Sequence, residues 1–248
     1  MATRNRGTLI YLKDRNVTMQ KQDIILKSPL GGMAEDTCKR GGGFSALLAR
    51  NGVGKTAFLV QLALNAMARD RNVLHVSLSD PVKKVTLRYR ELFDSLVDRD
   101  TEGGINELWH VMLRRRFIMT FRKTSFSVPR FKERLTDLTA QEIFTPHLII
   151  IDGLTFDEGV EEQLIALKEL AQNNACPAWF SITTHRDEAT NEQGMPLSFS
   201  RVSDFFETIL ALKPEGGATR IEMLQGQFEA PPVILDPSSM LIKTGNDG

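Results

Sequence analysis

Residues 147–152 read His-Leu-Ile-Ile-Ile-Asp, an apolar run without polar interruption that ends on a carboxylate. β-Branched side chains pack well on a pleated surface. A run with no alternation fits a central strand covered by helices on both faces, which is the environment of a parallel sheet. The rest of the chain repeats that logic. Phe44 to Ala49, Val73 to Val76, Arg116 to Phe121 and Trp179 to Thr184 read as further strands. Helix-period stretches separate them. Thr56 to Ala68 places Phe58, Leu59, Leu62, Ala63, Ala66 and Met67 on one face. A second helix starts at Pro81 and runs through Phe93, with Thr101 to Gly104 as its break. A third covers Val128 to Leu138, with Ser127 as its candidate cap, and a fourth Glu161 to Asn173. This alternation predicts βαβ units, hence an α/β fold with a mainly parallel central sheet flanked by helices. His185 to Ser200 reads as a long polar loop. Phe205 to Leu212, Arg220 to Leu224 and Val233 to Leu235 read as closing C-terminal strands, antiparallel, joined by turns at Pro214 to Gly217 and at Pro231-Pro232.

With 248 residues, 42% of them hydrophobic, the chain can bury one large core. Residues 1–40, with short apolar runs at Leu9 to Leu12 and Ile24 to Leu26, read as a lead-in segment, and residues 41–248 as the domain. Lys plus Arg and Asp plus Glu both number 31, so any nucleic-acid footprint has to be local. The one strongly basic stretch is Arg114 to Arg134. Its interleaved Phe117, Phe121, Phe126 and Phe131 have two readings, core residues or platforms for bases. Asp152 to Glu162 is correspondingly acidic, so two copies are able to meet head to tail. Cys38 and Cys176 lack the spacing of a disulfide framework or a zinc site, and no membrane span or signal peptide is visible. A cytoplasmic location is expected.

Between the first strand and the first helix lies Ala49-Arg50-Asn51-Gly52-Val53-Gly54-Lys55-Thr56, followed by Ala57. A glycine-rich turn that ends in Gly-Lys-Thr and opens a helix cradles phosphates. Its backbone N–H groups and the helix dipole face the anion, Lys55 reaches the terminal phosphates, and Thr56 ligates Mg²⁺. Ala49 stands where the pattern has glycine, which costs little unless that position needs φ > 0. Asp152, at the end of the strongest strand, is the second metal-binding candidate. The competing reading is an ordinary glycine turn and a polar strand end.

With these residues placed, the chain resembles the RecA-like P-loop ATPases, and within them the ATPase domain of the DnaB-type helicases and the KaiC-like proteins. In DnaB-type helicases the loop commonly begins Ala-Arg and ends Gly-Lys-Thr, as here. Leu148 to Asp152 is similar to the family's metal-carboxylate strand, and Ser181 to His185 to the strand whose polar end senses the γ-phosphate. The resemblance implies bound ATP and Mg²⁺ and a homo-oligomeric ring or filament.

It also exposes departures. Ser79 stands where the family has a catalytic glutamate, so Asp80, one residue on, is the candidate base. The sensor position falls on Thr184 or His185, and no cation occupies the late strand Leu224 to Phe228. The loop following the sensor strand carries acids that disfavour nucleic acid. The expectation is therefore Mg-ATP binding with slow or absent hydrolysis. A DNA-dependent helicase-type motor using Asp80 and an ATP-regulated scaffold are the alternatives. A small-molecule kinase ranks lower, because the Arg-rich stretch is not where a lid belongs.

Overall fold

In a computed structural model, residues 16–26, 28–33, 41–97, 104–185, 188–226 and 233–245 are described. The strands are β1 Phe44–Ala49, β2 Val73–Ser77, β3 Arg116–Thr120, β4 Leu148–Asp152 and β5 Ala178–Thr183, then β6 Thr208–Glu215, β7 Ala218–Gln225, β8 Val233–Leu235 and β9 Ile242–Thr244. The helices are α1 (residues 16–26), α2 Lys55–Ala68, α3 Val82–Leu96, α4 Ile105–Leu113, α5 Val128–Ala140 and α6 Val160–Asn173. All the described strands join one sheet in the order β3-β2-β4-β5-β1-β6-β7-β8-β9. Pairing is parallel from β3 through β6 and antiparallel from β6 to β9.

Successive side chains of a strand point to opposite faces, and the core divides accordingly. On β4, Leu148 and Ile150 face the layer of α2, α3 and α4, while Ile149 and Ile151 face α5 and α6. On β1, Leu47 and Ala49 take the first side and Phe44, Ala46 and Leu48 the second. Every residue of β1, β2 and β4 is buried, as their unalternated composition requires. The fold is thus α/β, with a mostly parallel central sheet flanked by helices and antiparallel strands at its C-terminal end.

Several sequence readings need correction. Helix α2 is not buried on one face alone: Ala57 through Ala68 are all buried. Ile24, Leu30 and Met33 from the lead-in segment and Ile242 from β9 pack in the same cluster as this helix. The buried Gln61 satisfies both ends of its amide there, donating to the Met240 carbonyl at 2.8 Å and accepting from the Ile242 N–H at 2.9 Å. Helix α4 and strand β9 were not foreseen, the first a nine-residue helix, the second only three residues long. Strand β6 is antiparallel only to β7; its other edge pairs parallel with β1 as far as Ala211. Pro214 lies inside β6, not in the turn, paired with Thr219 of β7. The turn itself is Gly216-Gly217, both at positive φ. Ser127 precedes α5 as expected, yet its side chain makes no capping bond. Within the polar loop, Leu197–Ser200 forms one helical turn. Leu9 to Leu12, Cys38, Thr101 and Pro231-Pro232 lie outside the described residues. Among the described residues no helix is long and apolar enough to cross a membrane.

Candidate functional site

Ligands of parallel sheets bind beyond the carboxyl ends of the strands, and the predicted loop lies there, between β1 and α2. Ala49 completes β1 in ordinary extended backbone and is not among the residues at positive φ, so its side chain costs nothing. Gly52 and Gly54 do need glycine, with φ of 80° and 112°. A Cβ on Gly54 would also meet Leu235 Cδ2 at 2.3 Å. Gly54→Ala is therefore expected to lower stability by about 1–3 kcal/mol through backbone strain and overpacking. Thermal unfolding beside Gly52→Ala, whose Cβ would have no atom within 4 Å, checks this. The Gly54 variant should lose more.

Lys55 Nζ curls back over the loop and donates to the carbonyls of Ala49 at 2.8 Å and Arg50 at 3.0 Å. Partial burial pulls its pKa down to about 8, against the opposing pull of the Asp152 carboxylate. Thr56 Oγ1 donates to Asp152 Oδ2 at 2.9 Å, although the two residues are 96 positions apart. Ser181 Oγ holds the other carboxylate oxygen, and the Gly153 N–H donates to Ser181 Oγ at 2.9 Å. These groups open into a cleft of about 280 Å³ whose walls include Asn51, Gly54, Lys55, Thr56, Asp152 and Thr183.

Of the sequence candidates, Gly52 and Ala57 also line this cleft. Arg50 and Val53 line a neighbouring one. Asp80 is not brought to the site: Ser77 Oγ, exchanging hydrogen bonds with the Asp80 backbone at 2.9 and 3.0 Å, turns the chain so that Ser79 enters the cleft. The Asp80 carboxylate instead pairs with Lys84 at 2.8 Å. His185 lines an adjoining cleft that shares Asn51, Lys123, Gly153 and Thr183 with the first, and its backbone N–H donates to Glu188 Oε2 at 3.3 Å. The polar end of β5 that reaches the loop is Thr183, whose hydroxyl contacts Asn51 Oδ1 at 3.4 Å.

Sequence reasoning missed two cations, Arg88 and Lys123, that line the cleft. Their signal was the basic stretch and the polar face of α3, neither of which names a target. It also missed His75, buried under Asp152 with Nε2 4.0 Å from Oδ2. Nδ1 is 3.1 Å from the buried Tyr89 hydroxyl, and the Arg116 guanidinium lies over the Tyr89 ring at 4.5 Å. With Tyr89 donating to Nδ1, the neutral ring carries its proton on Nε2, the Asp152 side. Burial is the main cause that lowers the His75 pKa to about 4. An unfolded histidine protonates near 6.5. Between those values the unfolded chain holds the extra proton, so stability rises with pH. The contribution is complete above about pH 6.5 and is lost as pH falls towards 4, on the order of a few kcal/mol. Denaturant melts across that window should show the slope in the native chain and a flatter profile in His75→Gln.

A metal shared by Thr56 and Asp152 is chemically sensible, because Mg²⁺ prefers one or two protein oxygens and completes its shell with water and phosphate oxygens. Among the described residues no group of three His, Cys, Asp or Glu side chains converges to form a self-sufficient metal cage. In comparisons with known protein-family models and with curated proteins, the chain matches none.

Proposed function

We propose that this cleft binds Mg-ATP and that the chain is a RecA-like nucleotide-binding protein with slow or absent hydrolysis. The observation that carries the reading is the 2.9 Å contact between the Thr56 hydroxyl and the Asp152 carboxylate, beneath a loop that also presents Lys55. Two groups 96 residues apart meet where a phosphate-bound cation needs its protein oxygens. Asn51 to Gly54 supply the cradle and the start of α2 supplies the positive end of a helix dipole. Lys55 has to leave the carbonyls of Ala49 and Arg50 to reach a terminal phosphate, an exchange of neutral acceptors for charged ones. Mg²⁺, when bound, neutralises charge between the outer phosphates.

Support for the RecA-like reading comes from the strand order. Strand β5 lies between β1 and β4, and its Ser181 and Thr183 flank the cleft, as the sensor strand of the resemblance would. Weak hydrolysis follows from Ser79. A serine hydroxyl does not accept a proton at neutral pH, and the nearest carboxylate along the chain, Asp80, is paired with Lys84.

Calorimetric titration with ATP and GTP in the presence of Mg²⁺, beside phosphate-release assays with and without single-stranded DNA, tests both halves. Binding with turnover near background is the expected result. No binding of either nucleotide sinks the reading, and DNA-stimulated turnover replaces its second half with the motor alternative.

A further inference from the structure

The basic stretch of the sequence folds around a second cleft. A cavity of about 840 Å³ opens at the carboxyl ends of β2 and β3, and its walls include Arg122, Arg130, Arg134, Thr120, Thr124 and Ser125. It shares Ser79 with the 280 Å³ cleft, so the two are neighbours along the same end of the sheet. One carboxylate, that of Asp80, lines it, and that group is already paired with Lys84. Among the described residues none of the three arginines has a carboxylate within 4 Å. Arg130 donates to the Ser125 carbonyl at 3.4 Å, and Arg134 lies over the Phe121 ring at 4.7 Å.

Three guanidinium groups converging on one cavity repel one another, and that cost is recovered when an anion sits between them. Planar guanidinium forks with hydroxyl donors beside them match the oxygens of a phosphate.

The phenylalanines interleaved with the arginines select among anions. Phe121, Phe126 and Phe131 pack on one another with centroids 5.4 to 6.5 Å apart; Phe131 is buried, Phe121 and Phe126 are partly buried against the same core, and Phe121 also lines the cavity. The Arg134 guanidinium covers the Phe121 ring at 4.7 Å, so among the described residues the cavity presents no uncovered ring for the base stacking by which single-stranded nucleic acid is gripped. What is left is recognition of the phosphate group itself. We infer that this cavity is a second anion site, for the phosphate or pyrophosphate group of a small molecule bound beside the first cleft. The inference rests on the residues of this cavity and holds whether or not the first cleft takes ATP.

The test is titration of the full chain with inorganic pyrophosphate, without Mg²⁺, in three forms. These are the native chain, Lys55→Ala, and the double variant Arg122→Gln/Arg130→Gln, which leaves Arg134 on Phe121 and changes only exposed side chains. Native chain should bind in two classes, and Lys55→Ala should keep one of them. The double variant should lose that remaining class by about tenfold or more, the scale of one lost charge-assisted contact, with an unchanged melting temperature and an intact Lys55-dependent class. Loss of all binding in Lys55→Ala, or equal binding in the double variant, overturns the second site. A single-stranded oligonucleotide that displaces pyrophosphate from Lys55→Ala at lower concentration than pyrophosphate itself reassigns the cavity to a nucleic-acid backbone and also overturns the inference. Failure of ATP to bind in a Lys55-dependent class would leave the second class in place and remove only the nucleotide reading.

Discussion

Lys55→Ala is expected to weaken Mg-ATP binding by about 100-fold, close to 2.7 kcal/mol, since it removes an ammonium that makes charge-assisted bonds to the outer phosphates. The fold should survive, because the side chain is only partly buried and its present partners, the carbonyls of Ala49 and Arg50, also accept from the N–H groups of Thr184 at 3.1 Å and Val53 at 3.4 Å. Isothermal titration beside a thermal melt separates lost binding from lost structure. Equal affinity in the variant would remove Lys55 from the site. A second consequence concerns pH. The lysine, with its pKa pulled down to about 8 by burial, is charged below that value and neutral above it. Affinity for the triphosphate should therefore fall as pH rises through about 8, because a neutral amine gives no ionic attraction. A bound phosphate favours the ammonium, so binding near pH 8 should take up protons, which titrations in buffers of different ionisation enthalpy will report. The pH effect should vanish in Lys55→Ala.

Asp152→Asn is the second large effect, and it falls on magnesium rather than on the phosphates. The native carboxylate accepts from Thr56 at one oxygen and from Ser181 at the other. An amide of the same shape can accept at one end only, and its NH₂ then faces a hydroxyl oxygen, so one of the two contacts must reverse. The structural cost is modest, but the negative charge facing a divalent cation is gone. Magnesium should enhance nucleotide binding in the native chain and enhance it at least about tenfold less in the variant, the loss expected when a hard cation is left without its one protein carboxylate. Titrations with and without Mg²⁺ measure this. If both chains respond equally, Asp152 does not hold the cation. Thr56→Val, which removes the hydroxyl and keeps the shape, should reduce the same enhancement.

The two variants probe parts of the site that differed in legibility. Glycines at 52 and 54, a lysine and a threonine follow one another in the chain, and their chemistry depends on local φ and on the start of a helix. Both are encoded within a few residues, so the loop could be read directly. Asp152 was legible for a related reason: it ends the one run too apolar to be anything but an inner strand. Ser79 and Asp80 were not separable in this way. Which of two adjacent side chains faces a cleft depends on how the strand end turns, and here the turn is made by a hydrogen-bond exchange between Ser77 and the Asp80 backbone. The same limit explains the sensor strand, where Thr183 reaches the loop and His185 lines the adjoining part of the cleft.

Local spacing alone determined most of the strand and helix succession, α1, α4 and β9 excepted, together with the glycine-rich loop and the buried strand carrying Asp152, because helix and strand periods and the demand for glycine at positive φ act over a few residues. Tertiary structure decided the rest. It set β5 between β1 and β4, wrapped α2 on every side, buried His75 beneath the carboxylate and gathered Arg122, Arg130 and Arg134 around one cavity. Each of these depends on contacts between segments far apart in the chain, whose energies come from packing and pairing and leave no periodic mark on the residues that make them.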